Sequence, residues 1–370
     1  MFPGSKPIAL HYEPQPITFF PFRGLNQLNG LTFMNFINRR TFVQRTGLAG
    51  LSMLAVGLGS NRAVADPDPA PGNASAAAAS AEPDIFPFQL GGTDAFVICD
   101  GAFLFPGIQP VFAPEGKPAQ IEDLMKKQFL PSDHLALSLN VLVVKSKSGV
   151  MVFDAGAGKA AGPTTGKFLR GLSRIGVTPR DVKTIYITHA HMDHIGGLVD
   201  ESNALVFPSA RINIAKSELD FWTANAPDVS RMRTPPDATH QMVDSIKKVL
   251  AALKPNLDLK EPGKLTPEVE LISGPGHTPG HSLFRLTEGD ETLLVLGDSV
   301  HAFALQFPHP EWTMAYDVDP AIAVKTRMKL FKDVASERTT VMAFHLPFPG
   351  IGHVRVADSA FEWVPRPWAI

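Results

Sequence analysis

Residues 188–197 read Thr-His-Ala-His-Met-Asp-His-Ile-Gly-Gly. His189, His191, Asp193 and His194 thus place four cation-binding side chains within six positions. In extended backbone, residues i and i+2 project to the same side, so His189 and His191 can grip one ion. The chain then turns, and Asp193 with His194 can face a neighbouring position. Imidazole nitrogen and carboxylate oxygen suit zinc and related divalent metals. Two such metals roughly 3.5–4 Å apart can share a hydroxide, because coordination lowers the pKa of water towards ~7. The chemistry on offer is hydrolytic attack on a carbonyl carbon or a phosphorus, with the metals stabilising the charge that develops on oxygen. A loop of unrelated surface histidines is the plain alternative. Three of the chain's 12 histidines in so short a run argue against it.

One loop cannot supply every ligand of a two-metal site. Three later segments carry candidates. Gly274-Pro275-Gly276-His277-Thr278-Pro279-Gly280-His281 is a turn between two apolar runs; Gly297-Asp298-Ser299 and Phe344-His345-Leu346-Pro347 each end one. Strand ends and their loops commonly collect such groups.

These motifs, in this order, resemble those of the metallo-β-lactamase superfamily. The resemblance covers about residues 95–353 and implies an αββα sandwich of two mixed β-sheets with outer helices, an α/β fold. It also implies two divalent metal ions, zinc by preference. His189, His191 and His277 would hold one, Asp193, His194 and His345 the other, and Asp298 would bridge them. Asp298 and Asp193 are then the catalytic carboxylates, the first keeping the metals in register and the second able to take up a proton. Asp154, in Asp154-Ala155-Gly156, matches a supporting motif. His281 reads as packing beside the site. His301 and His353 stand within eight residues of a proposed ligand and are the other histidines to watch.

Longer stretches are similar to methyl parathion hydrolases and related exported lactonases. They are Gly297-Asp298-Ser299-Val300-His301, Gln306-Phe307-Pro308 and residues 345–353. The implied substrate is a small neutral lactone, aryl ester or phosphotriester. Asp298 stands where one β-lactamase subclass needs cysteine and another has no bridging Asp, which counts against antibiotic hydrolysis. The alternatives are an organophosphate hydrolase, a β-lactamase or a non-catalytic exported metal-binding protein. Apolar pockets suit neutral substrates, and Phe221, Trp222, Phe303 and Phe307 are candidate lining residues, with ordinary core packing equally open to each.

The elements that must position these residues can be read from pattern. Segments 95–99, 139–145, 150–154, 182–188, 211–215, 270–273, 281–286, 292–296 and 340–344 read as strands, and 241–253 and 321–334 as helices. Ser146-Lys147-Ser148-Gly149 suits a hairpin turn between the second and third strands. Strand groups separated by helices give two mixed sheets with helices outside.

Arg39-Arg40 precedes an uncharged run, residues 47–61, and then Ala63-Val64-Ala65. This pattern predicts a twin-arginine export signal over residues 1–65, and hence a periplasmic or secreted protein. The run is shorter than the ~20 residues of a membrane span, so no stable span remains after signal removal. Met34 would make a more ordinary start, so residues 1–33 are a candidate start-site artefact. Residues 66–84, rich in Asp, Pro, Ala and Ser, read as a disordered linker, and 85–370 as the hydrolase domain.

The 370-residue chain carries a net charge of −2, which gives no support to nucleic-acid binding. One cysteine, Cys99, excludes an intramolecular disulfide and any thiolate-rich cluster; it reads as a small buried hydrophobe. Oligomeric state leaves no mark on the sequence.

Overall fold

A computed structural model describes residues 84–367. The export-signal reading, and the linker reading up to residue 83, lie outside the described residues. Two seven-stranded sheets face each other. The first runs in chain order: β1 (Ile85–Leu90), β2 (Thr93–Phe105), β3 (Leu135–Ser146), β4 (Gly149–Phe153), β5 (Val182–Tyr186), β6 (Arg211–Ala215) and β7 (Leu257–Lys260). Its first four strands are antiparallel and its last three continue in parallel from β4. The second sheet holds β8 (Gly263–Lys264), β9 (Val269–Ser273), β10 (Ser282–Glu288), β11 (Glu291–Val295), β12 (Thr340–Met342), β13 (Ile351–Ala357) and β14 (Ala360–Pro365). Only its β11–β12 pair is parallel. Both sheets are therefore mixed, as the sequence pattern predicts. The hairpin turn at Ser146 and Gly149 also forms, with the two residues paired in register.

Alternation along each strand divides the apolar residues between two cores. In β3, Leu142 and Val144 point into the layer between the sheets, where they meet Phe153, Phe284 and Leu286. Leu139, Val141 and Val143 point outward against helices. Each of these side chains stabilises the fold by about 1.5–3 kcal/mol when fully buried.

Seven helices cover the sheets among the described residues: α1 (Pro118–Lys127), α2 (Phe168–Arg174), α3 (Met192–Ile195), α4 (Lys216–Thr223), α5 (Pro236–Leu253), α6 (Phe303–Gln306) and α7 (Pro320–Glu337). In α5, Val243, Ile246, Val249, Leu250 and Leu253 recur every three or four residues and bury one face. α7 starts with Pro320 at its first position, and Asp319 caps it by accepting the Ile322 N–H at 3.1 Å. Its buried face, Leu330, Phe331 and Val334, covers the second sheet. Among the described residues no helix is long and apolar enough to cross a membrane.

Candidate metal centre

Every proposed ligand lies just past a strand end, at one edge of the sandwich. After β5 the chain bends at Thr188, passes through His189 to the extended His191, then turns into the single-turn helix α3, which carries Asp193 and His194. His277 sits in the loop between β9 and β10, Asp298 follows β11, and His345 follows β12. The first sheet thus presents four of these residues and the second sheet three.

Two groups of four result. His189, His191, His277 and Asp298 form one; Asp193, His194, His345 and Asp298 form the other; ligand atoms in each lie within 4.8 Å of one another. Asp298 belongs to both. In the first group His191 Nδ1 is 3.0 Å from His189 Nε2 and 2.9 Å from His277 Nε2, and His277 Nε2 is 3.3 Å from Asp298 Oδ2. In the second, His345 Nε2 is 3.2 Å from Asp193 Oδ2 and 3.1 Å from Asp298 Oδ2. His194 Nε2 and Asp298 Oδ1 face each other at 3.1 Å, yet both are buried without a hydrogen bond. Buried polar atoms are rarely left orphaned. A shared cation between such atoms would satisfy both, so the residues present fit the metal group.

Four of the five ligand imidazoles have their outward nitrogen anchored, which fixes those rings, whereas His191 Nε2 is buried without a hydrogen bond. Thr188 Oγ1 lies 3.1 Å from His189 Nδ1, Asp154 Oδ2 2.9 Å from His194 Nδ1, Asp317 Oδ1 2.9 Å from His277 Nδ1, and the Ser138 carbonyl 3.1 Å from His345 Nδ1. Asp154 also accepts the Thr188 N–H and hydroxyl at 2.8 and 2.9 Å, which ties the end of β4 to the ligand loop. Asn140 of β3 fastens the His345 loop by donating from its side chain to the Leu346 carbonyl at 2.7 Å. His281 bridges segments: Nδ1 donates to the Gly274 carbonyl at 2.8 Å and Nε2 accepts the Asp298 N–H at 3.0 Å. Gly297 has φ 51°, and a Cβ there would lie 2.6 Å from His281 Nε2, so only glycine lets Asp298 sit so close.

The charges are interdependent. Burial keeps His189 and His191 well below the ordinary imidazole range. Burial opposes charge on His277 and His345 too, but Asp298, with Asp317 for the first and Asp193 for the second, pulls each up to about 9. Burial would raise Asp193, yet His194 and His345 hold it down to about 2. Burial drives His281 down to about 3, in keeping with its neutral, two-way hydrogen bonding.

Beside the ligands lies a cavity of about 160 Å³, lined by Phe103, Leu137, Met192, Met242, Met314 and Tyr316 together with His191, Asp193, His277, Asp298, His301 and His345. The aromatic expectation is largely corrected here. Trp222 is fully buried behind His191, with ring centroids 5.6 Å apart. Phe307 is buried and stacks on Phe331 at 4.6 Å, because α7 needs an aromatic layer beneath it. Phe221 packs against the core of the first sheet. Phe303 lines a smaller, adjoining cavity of about 100 Å³ that shares His301 and His345 with the first. Cavity-lining aromatics come instead from Phe103 and Phe105 at the end of β2, beyond the 95–99 strand read from the sequence, and from Tyr316 in the segment before α7.

Two functional candidates were not in the ligand set. His301, two per cent exposed, brings Nε2 to 3.1 Å from Asp298 Oδ2 and leaves Nδ1 buried without a partner. Its position three residues after Asp298 was the available signal. Asp317 is fully buried against His277, and only the three-dimensional contact reveals it. His353 is remote from the ligands and meets Thr340 at 3.2 Å. Cys99 is half-buried; burial pushes its thiol up to about 11, and Sγ donates to the Gly101 carbonyl.

Residues 136–355 match the family model of the metallo-beta-lactamase superfamily. The chain belongs to that superfamily. It is similar in structure to AidC, a dizinc quorum-quenching lactonase, at 32% identity and a TM-score of 0.75 over 78% of this chain and 99% of that one. A probable metallo-hydrolase of Mycobacterium tuberculosis is 28% identical over 45% of this chain, and the match spans only 58% of that relative's length. An N-acyl homoserine lactonase of a Bacillus species is 25% identical over 51% of this chain and 74% of its own.

Proposed function

We propose that the protein is a binuclear metal-dependent lactonase, with aryl esters and phosphotriesters as further substrates of the same site. The observation that carries this reading is the pair of four-residue groups sharing Asp298 at the floor of an apolar cavity. Two divalent cations held there would supply a water-derived nucleophile at neutral pH and polarise the bond under attack. His189, His191 and His277 would hold one, Asp193, His194 and His345 the other, with Asp298 between them. The likeness to a dizinc lactonase supports zinc as the metal and a lactone as the substrate. The cavity's Phe, Leu and Met side chains would bind a neutral apolar substrate and displace water from the reacting bond. Asp193, 15% exposed, is the carboxylate available to accept a proton there, and His301 offers an imidazole on the same wall. The twin-arginine pattern and the stretches around Asp298 and His345 support an exported member of the lactonase and methyl parathion hydrolase group, periplasmic or secreted.

The test is kcat/KM for N-hexanoyl homoserine lactone, dihydrocoumarin and methyl parathion on one zinc-loaded sample. The lactones should turn over fastest. Lactone rates no faster than buffer, beside a measurable phosphotriester rate, would reverse the ordering.

A further inference from the structure

Glu218 is fully buried on α4, outside the seven candidate ligands, and its carboxylate receives four neutral donors. Oε1 accepts the Ala190 N–H at 2.9 Å and the Trp222 indole N–H at 2.7 Å. Oε2 accepts the Thr278 hydroxyl at 2.6 Å and the Gly280 N–H at 3.0 Å. Ala190 lies between His189 and His191. Thr278 and Gly280 follow His277. One carboxylate therefore spans a loop of the first sheet and a loop of the second.

We propose that Glu218 is a positioning residue that sets the spacing of His189, His191 and His277 for one metal, and leaves the other metal position alone. This rests on the two-metal reading above. A buried carboxylate without a cation is costly, and its retention calls for a geometric reason. An ionised carboxylate is acceptor-only on both oxygens, so it can hold donors from both loops at once. Glutamine cannot: its NH₂ would oppose two of the four donors. Trp222, tethered to Oε1, also backs the His191 ring. Close approach is built in, since a Cβ on Gly280 would lie 2.2 Å from the Glu218 nitrogen. None of the four donors belongs to the turn that carries Asp193 and His194 or to the loop that carries His345, and there Asp154 anchors His194 and the Ser138 carbonyl anchors His345.

The experiment is chelator competition with Zn²⁺, and the visible spectrum of the Co²⁺-loaded protein, for wild type, Glu218→Gln, Thr278→Val and Thr278→Ser. Wild type should bind two ions. In Glu218→Gln and Thr278→Val, one binding step should weaken about 10–100-fold, the usual effect of losing an outer contact to a ligand. The other step should stay within about threefold, and only part of the cobalt spectrum should change. Thr278→Ser, which keeps the hydroxyl, should restore wild-type affinity. Unchanged affinity in both altered proteins, or equal weakening of both steps, overturns the proposal while the two-metal reading stands. A wild type that binds no ion defeats the two-metal reading itself.

Discussion

Asp317 Oδ1 lies 2.9 Å from His277 Nδ1, and both residues are buried. The other carboxylate oxygen, Oδ2, accepts the Met314 N–H at 3.1 Å, so the acid cannot swing away. The His277 ring is thereby fixed with Nε2 facing His191 and Asp298. Asp317→Asn can keep a hydrogen bond but loses the charge. Zinc affinity should fall about 10–100-fold, as for other outer contacts to ligating imidazoles. Competition with a chromogenic chelator measures it, and wild-type affinity would dismiss the role.

Arg327 of α7 is one per cent exposed and donates to three carbonyls, those of Ser299, Pro310 and Trp312, at 2.7–2.9 Å. It pins the segment after Asp298 to the second sheet's covering helix. Arg327→Met keeps bulk but leaves the buried Ser299 and Pro310 carbonyls unpaired, at roughly 1–3 kcal/mol each, and the Trp312 carbonyl with only the Gln306 side-chain amide at 3.5 Å. Stability should fall by about 3 kcal/mol or more, read as a lower denaturation midpoint in urea. A midpoint within error of wild type would contradict the pinning.

The first sheet was readable because β3 to β6 combine β-branched residues with clear turns, and the pattern of residues 188–197 marks its own strand end. The structure trims that strand to Val182–Tyr186, because the Thr188 N–H pairs with Asp154 rather than with a neighbouring strand. The paired strands β13 and β14, the second of them at the sheet edge, were not legible. His353, Arg355 and Glu362 alternate with Val354, Val356, Phe361 and Trp363 over only a few residues, and the inward Val354, Phe361 and Trp363 are stabilised by packing with α7, a contact distant in sequence. The seven candidate ligands were legible because four of them crowd into six positions and the other three stand in motifs at the ends of apolar runs. Glu218 and Asp317 were not, since a lone acid on a helix or loop looks like surface until its partners are seen.

Cys99 should be inert. The thiolate is the reactive form, and a pKa raised to about 11 leaves about one thiol in a thousand ionised at pH 8. In the unfolded chain, with a pKa near ~8.5, the fraction is roughly a quarter. Raising the pH towards 11 therefore restores reactivity. Iodoacetamide labelling followed by mass spectrometry should show slow modification of native protein at pH 8 and rapid modification in denaturant. Equal rates in both states would contradict the raised thiol pKa.

The most direct test is the metal content of purified protein and of Asp298→Ala, measured by plasma mass spectrometry after zinc loading and desalting. Wild type should hold about two zinc ions per chain, and Asp298→Ala at most one, with lactone kcat/KM lower by at least ~100-fold. A folded wild type that retains no zinc, or an Asp298→Ala protein with two ions and full rate, would contradict the shared-carboxylate centre.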